Sequence, residues 1–135
     1  MHILFVCTGN TCRSAMAEAA ARKQINDCPE QYGDISVMSA GVLCAGPSPA
    51  SGNAILAAAQ NDCDLSLHTA KPITEEMLSR MAPQYADKLY LLNAFAEGSP
   101  DALDVPDPYG GNLAEYLQCF DVLNSSVAQI LQKLA

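Results

Sequence analysis

The sequence predicts an α/β three-layer sandwich, a short parallel twisted sheet with helices on both faces. Three observations predict it. Apolar, β-rich runs alternate with stretches of helix formers along the chain. The first such run passes through one tight turn straight into the first helix. The 135 residues, 50% hydrophobic and 16% charged, suffice for one domain with a real core and are too apolar for disorder. Residues 1–135 therefore read as a single domain.

The elements follow in order. His2–Cys7 is a strand ending in Thr8-Gly9-Asn10, a turn signal. Ser14 to Ile25 is a helix, with Met16, Ala19, Ala20 and Lys23 at the spacing of one face and Ser14 and Glu18 as polar groups near its start. Asp27 to Gly33 reads as a loop. Ile35 to Ala40 is a second strand, closed by Gly41. Pro47, Pro49 and Gly52 mark a loop, and the Ala-rich Gly52–Gln60 is a helix stopped by Asn61-Asp62. Leu65 to Ile73 is an irregular connector. Thr74 is an N-cap for a short helix to Arg80. Lys88–Leu92 is a strand, and Pro100–Gly111 is a loop rich in Asp, Pro and Gly. From about Asn112 to Leu134 a long helix carries Leu113, Tyr116, Leu117, Phe120, Leu123, Val127, Ile130, Leu131 and Leu134 as one continuous core stripe. Helical crossovers between strands make the sheet parallel. Such sheets bind ligands at the carboxyl ends of their strands, which points to residues 7–14.

Charge and cysteine usage narrow the function classes. Seven basic against 15 acidic residues give a formal charge of −8, with no polybasic stripe. Nucleic acid and anionic membrane surfaces are thus poor partners. The apolar run Ile3–Cys7 is too short for a signal peptide or a membrane span. The six cysteines are Cys7, Cys12, Cys28, Cys44, Cys63 and Cys119. A disulfide framework is not expected without a secretory segment, and no second close pair or His doublet completes a zinc site around Cys7 and Cys12. The expected compartment is the reducing cytoplasm, with Cys28, Cys44, Cys63 and Cys119 as small apolar filler.

The chemistry lies in Cys7-Thr-Gly-Asn-Thr-Cys-Arg13-Ser14. Gly9 and Asn10 tolerate positive φ, so the loop can curl with its N–H groups inward. The start of the first helix adds partial positive charge at the same point. Arg13 offers a planar fork to two oxygens. Together these make a nest for a tetrahedral oxyanion with Cys7 at its base. Inward amides and a guanidinium favour a thiolate there. A thiolate beneath a captured phosphoryl group is placed for in-line attack on phosphorus, and the Ser14 hydroxyl can hydrogen-bond the sulfur as it leaves. The reaction also needs a proton donor for the leaving group. Asp101, Asp104, Asp107 and Asp121 compete for that role. Asp107 is the one held stiffly, by Pro108, though Asp-Pro also simply starts turns.

The stretch from Val6 to Ser14, followed by Met16-Ala17-Glu18, resembles the low-molecular-weight protein-tyrosine-phosphatases. The resemblance continues through Ser39-Ala40-Gly41, Leu65 to His68 and Asp107-Pro108-Tyr109. It implies Cys7 as the nucleophile that forms a phosphocysteine, Arg13 as phosphate binder and transition-state clamp, and Asp107 as general acid, then general base for water. It implies Thr8, Gly9, Asn10, Thr11, Cys12 and Ser14 as the phosphate-binding loop, with Asn10, Ser14, Ser39 and His68 in a network that shapes it. It implies no metal and no cofactor, and as partners a phosphorylated protein or peptide and inorganic phosphate or another oxyanion. For Cys12 it adds to plain space filling a second role, a reversible disulfide with Cys7 on oxidation.

Thr11 bears on the substrate. Tyrosine-directed members commonly carry a larger aliphatic residue there, whereas a threonine resembles the protein-arginine-phosphatase branch. Asp107-Pro-Tyr-Gly-Gly111 looks like that branch too. A small polar side chain leaves room and a hydrogen bond for a guanidinium. A phosphotyrosine ring prefers apolar walls, and the chain has no Trp. Tyr109 could wall either substrate. Phosphoarginine is therefore the expected substrate, with phosphotyrosine as the alternative. Two other classes compete: a thiol-dependent arsenate reductase, which needs relay cysteines close together, and a non-catalytic phosphate-binding module.

The chain departs from the family in two places. Ala15 stands where proline is common. Between Ser79 and Tyr85 a family strand and the start of its helix are absent, so the domain either closes with three strands or skips residues between Arg80 and Met81. A Cα separation there well beyond ~3.8 Å would mark a skip.

Overall fold

The computed structural model describes residues 2–79 and 105–134. Two strands, β1 (His2–Cys7) and β2 (Ser36–Gly41), pair in parallel, with His2 opposite Ser36 and Cys7 opposite Gly41. The parallel pairing requires a crossover. It is made by α1 (Arg13–Asp27) and α2 (Pro29–Tyr32). Then follow α3 (Gly52–Gln60), α4 (Glu75–Ser79) and α5 (Leu113–Leu134). The short parallel sheet with helices packed on it is the α/β sandwich the sequence predicts. The expected strand at Lys88–Leu92 and the Arg80–Met81 junction lie outside the described residues.

Small residues bring the layers close. In α1, Ala15, Ala20 and Ala21 are fully buried with Met16, so the helix is covered on several sides. It lies on both strands and packs against α5, which also packs on α3 through the latter's buried Ala54, Ala57 and Ala58. The stripe on α5 is core as expected: Tyr116, Phe120, Leu123, Val127, Ile130 and Leu131 are buried. Two residues the period did not include, Cys119 and Ser126, are buried with them. Lys23, which shares the spacing of Met16, Ala19 and Ala20, reaches solvent and pairs with Asp27 at 3.0 Å. The ammonium keeps its hydration by leaning out.

The expected loop at Asp27–Gly33 holds a short helix, α2. Pro29 fills its first position, where a missing N–H costs nothing, and Tyr32 is buried beneath it. The start of α1 has no side-chain cap, whereas those of α3, α4 and α5 do. Ser51 Oγ accepts from Ala54 N at 3.3 Å, Thr74 Oγ1 from Met77 N at 3.2 Å, and Asn112 Oδ1 from Glu115 N at 2.9 Å. Among the described residues no helix is long and apolar enough to cross a membrane.

Candidate active site

The loop between β1 and α1 forms the floor of a cleft at the carboxyl end of the strands. The cleft is lined by Cys7, Thr8, Gly9, Thr11, Cys12, Arg13, Asp107 and Tyr109. All eight were singled out from the sequence. Cys7 ends β1 and is half-buried. Its sulfur accepts the Asn10 N–H at 3.3 Å and lies 2.8 Å from Ser14 Oγ. Ser14 Oγ already accepts from Asn10 Nδ2 at 2.8 Å, which leaves its proton for the sulfur. Two donors thus converge on one sulfur, which suits an anion and a leaving thiolate.

Asn10 is the keystone of the loop. It is fully buried and takes φ 60°, a left-handed conformation that asparagine adopts more readily than most residues. Every polar group it has is used. One Nδ2 proton goes to Ser14 and the other to Ser39 Oγ at 2.9 Å. Oδ1 accepts from Lys71 N at 3.1 Å. Its carbonyl lies 2.7 Å from His68 Nε2. A carbonyl only accepts, so Nε2 carries the hydrogen and His68 donates. The four residues expected to shape the loop, Asn10, Ser14, Ser39 and His68, are therefore one network. His68 reaches the loop backbone, not the cleft.

The network extends to residues whose partners the sequence does not indicate. Ser39 accepts from Asn10, so its own proton goes to Glu18 Oε1 at 2.5 Å. The other Glu18 oxygen accepts from Arg22 Nε at 2.9 Å. Glu18, read as a helix former, thus anchors the buried network with a charge-assisted bond. Beneath the loop, Cys12 is buried; its thiol donates to Ser51 Oγ at 3.4 Å and lies 3.3 Å from the Tyr116 hydroxyl. Burial, and then the Cys12 contact, push the Tyr116 phenol above its ordinary range. Tyr116 was legible as core, but nothing in its spacing indicated a hydroxyl aimed at the loop.

The opposite wall comes from residues 105–111. Arg13 donates to the Val105 carbonyl at 3.3 Å and its guanidinium lies 3.6 Å from Asp107 Oδ2. Asp107 Oδ1 accepts from Tyr109 N at 3.1 Å, and the carboxylate is half exposed. Tyr109 is 77% exposed at the rim. Behind this wall the Cys119 thiol faces the Pro106 carbonyl at 3.8 Å, and burial pushes it up to about 11. Asp101 and Asp104 lie outside the described residues. Asp121 sits exposed on α5 and does not line the cleft.

The sequence model of the family described as Low molecular weight phosphotyrosine protein phosphatase matches residues 2–81 and 75–135. The chain belongs to this family. The two matched stretches meet where the sequence reading finds a family strand absent. Among family relatives, the chain is 34% identical to the protein-arginine-phosphatase of Bacillus subtilis (strain 168), covering 99% of this chain and 97% of that protein. That alignment runs over 152 positions, more than the 135 residues of this chain, so the relative carries residues that this chain lacks. A solved structure of YwlE arginine phosphatase, a mutant with a phosphorylated active-site serine, superposes with a TM-score of 0.84 at 34% identity, over 99% of this chain and 95% of that one. A partial likeness also exists to an arsenate reductase of Bacillus cereus, 38% identical across 58% of this chain and 52% of that protein. The chain is thus a protein phosphatase of the low-molecular-weight family.

Proposed function

We propose that the protein is a cysteine-dependent phosphatase that removes phosphoryl groups from arginine side chains of proteins through a phosphocysteine at Cys7. The observation that carries this reading is the pair of donors on the Cys7 sulfur, from Asn10 N and Ser14 Oγ, in a cleft shared with Arg13 and Asp107. The captured phosphoryl oxygens sit in the loop of residues 8–14, with the Arg13 fork across two of them. The Cys7 sulfur attacks phosphorus as the bond from phosphorus to the guanidine nitrogen breaks. Asp107 gives its proton to that nitrogen, so a protonated phosphoarginine side chain departs as the complete guanidinium. Asp107, now a carboxylate, takes a proton from water as the water attacks the phosphocysteine. The sulfur–phosphorus bond breaks, the sulfur leaves as a thiolate held by Ser14, and inorganic phosphate is released. Proton transfer of this kind contributes about 10²–10⁴ in rate.

Thr11 supports the arginine assignment. It lines the cleft with a short hydroxyl-bearing side chain, and the B. subtilis relative bears the name protein-arginine-phosphatase. The test compares kcat/KM on phosphoarginine and phosphotyrosine peptides for the parent, Thr11→Ile and Cys7→Ser. The parent favours phosphoarginine, Thr11→Ile shifts the ratio toward phosphotyrosine, and Cys7→Ser turns over neither. Equal or better turnover of phosphotyrosine, unchanged in Thr11→Ile, refutes the arginine assignment. Arsenate reduction with thioredoxin would instead favour the reductase reading. Cys28, Cys44, Cys63 and Cys119 show no close pair in the sequence, and of them Cys63 and Cys119 are buried while Cys28 and Cys44 are half-buried, a poor setting for a relay.

A further inference from the structure

The first turn of α3 is bonded to both walls of the cleft. Ser51 N donates to the Thr11 carbonyl at 3.0 Å, and Ser51 Oγ accepts from Cys12 at 3.4 Å. Those bonds tie the helix to the phosphate loop. Two residues on, Asn53 Nδ2 donates to the Gly111 carbonyl at 3.2 Å, which ties the same helix to the stretch carrying Asp107. We propose that Asn53 is a positioning residue that fixes the reach of Asp107 over the Cys7 sulfur. This deepens the phosphatase reading and rests on Asp107 being the proton donor.

The geometry shows why such a tie is needed. Asp107 is half exposed, and among the described residues its carboxylate is met by the Tyr109 N–H and the Arg13 guanidinium. Its placement must therefore come from the turn that carries it. That turn is closed by Gly111 N donating to the Pro108 carbonyl at 2.8 Å, with Gly110 at φ 81°. A glycine pair separates Asp107 from the start of α5, and glycines give the chain a soft joint. Fixing α5 alone leaves the turn free to swing about that joint. The Asn53 bond lands on Gly111, at the joint itself. It comes from a helix whose Ala54, Ala57 and Ala58 are locked in the core and whose N-cap is locked to the phosphate loop. A rigid element so bonded sets the spacing between nucleophile and acid.

The test uses aryl phosphates that differ only in how acidic the departing phenol is. An activated phenol leaves without help, whereas an unactivated one needs the proton. The readout is the ratio of kcat/KM on the activated to the unactivated ester, which reports the first chemical step. Asn53→Ala and Asn53→Asp, the second keeping the size but losing the donor, are expected to widen this ratio roughly three- to tenfold, the worth of one hydrogen bond. Asp107→Asn is expected to widen it further, by about 10²-fold or more. An unchanged ratio in both Asn53 variants, or equal losses on both esters, overturns the positioning role and leaves Asp107 standing if Asp107→Asn still widens it. If Asp107→Asn leaves the ratio unchanged, the assignment of Asp107 fails, and the role of Asn53 with it.

Discussion

Replacing Gly41 by alanine tests how tightly the sheet sets the catalytic loop. Gly41 ends β2 opposite Cys7. A Cβ there would lie 2.7 Å from Thr8 O, 3.0 Å from Gly9 C and 3.1 Å from Asn10 N. All three are backbone atoms of the phosphate loop, so no rotamer relieves the clash. Ordinary contact begins near 3.4 Å, and Thr8 O must therefore retreat by about 0.7 Å. The retreat has no slack to use. Val42 N holds the Cys7 carbonyl at 3.0 Å and Leu43 N holds that of Thr8 at 2.9 Å. A misplacement of about 1 Å costs on the order of 100-fold in rate. Gly41→Ala is thus expected to lose roughly 10- to 100-fold in kcat/KM on a small aryl phosphate, with an overpacking cost of about 1–3 kcal/mol in stability. Gly46→Ala is the control, because a Cβ there meets nothing within 4 Å. Both are assayed beside a thermal melt. A folded Gly41→Ala enzyme with the parent's kcat/KM would refute the idea that close backbone approach sets the loop.

Three further outcomes are expected. Ser14→Ala removes the proton that meets the Cys7 sulfur at 2.8 Å, so the phosphoenzyme should accumulate and burst kinetics should sharpen; an unchanged burst counts against a leaving-thiolate role. Burial pushes the Cys119 thiol from its ordinary value, near 9.0, up to about 11 in the folded chain. The folded state keeps the proton longer, so its contribution to stability is complete below about 9 and is lost as pH rises toward 11; Cys119→Ala should flatten that part of a denaturation series, and an identical slope would contradict it. Cys12→Ser should recover less activity than the parent when mild peroxide is followed by thiol, since no disulfide then shields Cys7; equal recovery sinks the protective role.

The sequence was most informative where chemistry needs particular residues at particular spacing. The loop from Cys7 to Ser14 could be read because a tight turn, an arginine and a helix start must coincide there. Asp107 stood out from its competitors only through Pro108 and the family resemblance. Long-range partners were not legible. Glu18 stood in the Met16-Ala17-Glu18 run without a partner, yet it receives the Ser39 proton, because the fold brings β2 alongside α1. Ser51, Asn53 and Tyr116 carry no local signal either. Their roles depend on α3 and α5 meeting beneath the loop. α2 was missed because its single turn is too short to show a period, with Pro29 looking like a breaker though it opens the turn.

The most direct measurement is turnover of a phosphoarginine peptide stopped with denaturant at alkaline pH, where the phosphorus–nitrogen and phosphorus–sulfur bonds survive, followed by mass spectrometry of the peptide containing Cys7. A phosphoryl group on the Cys7 sulfur, absent in Cys7→Ala and enriched in Ser14→Ala, is the predicted result. Rapid release of inorganic phosphate with no adduct on Cys7 at any quench time would contradict the account.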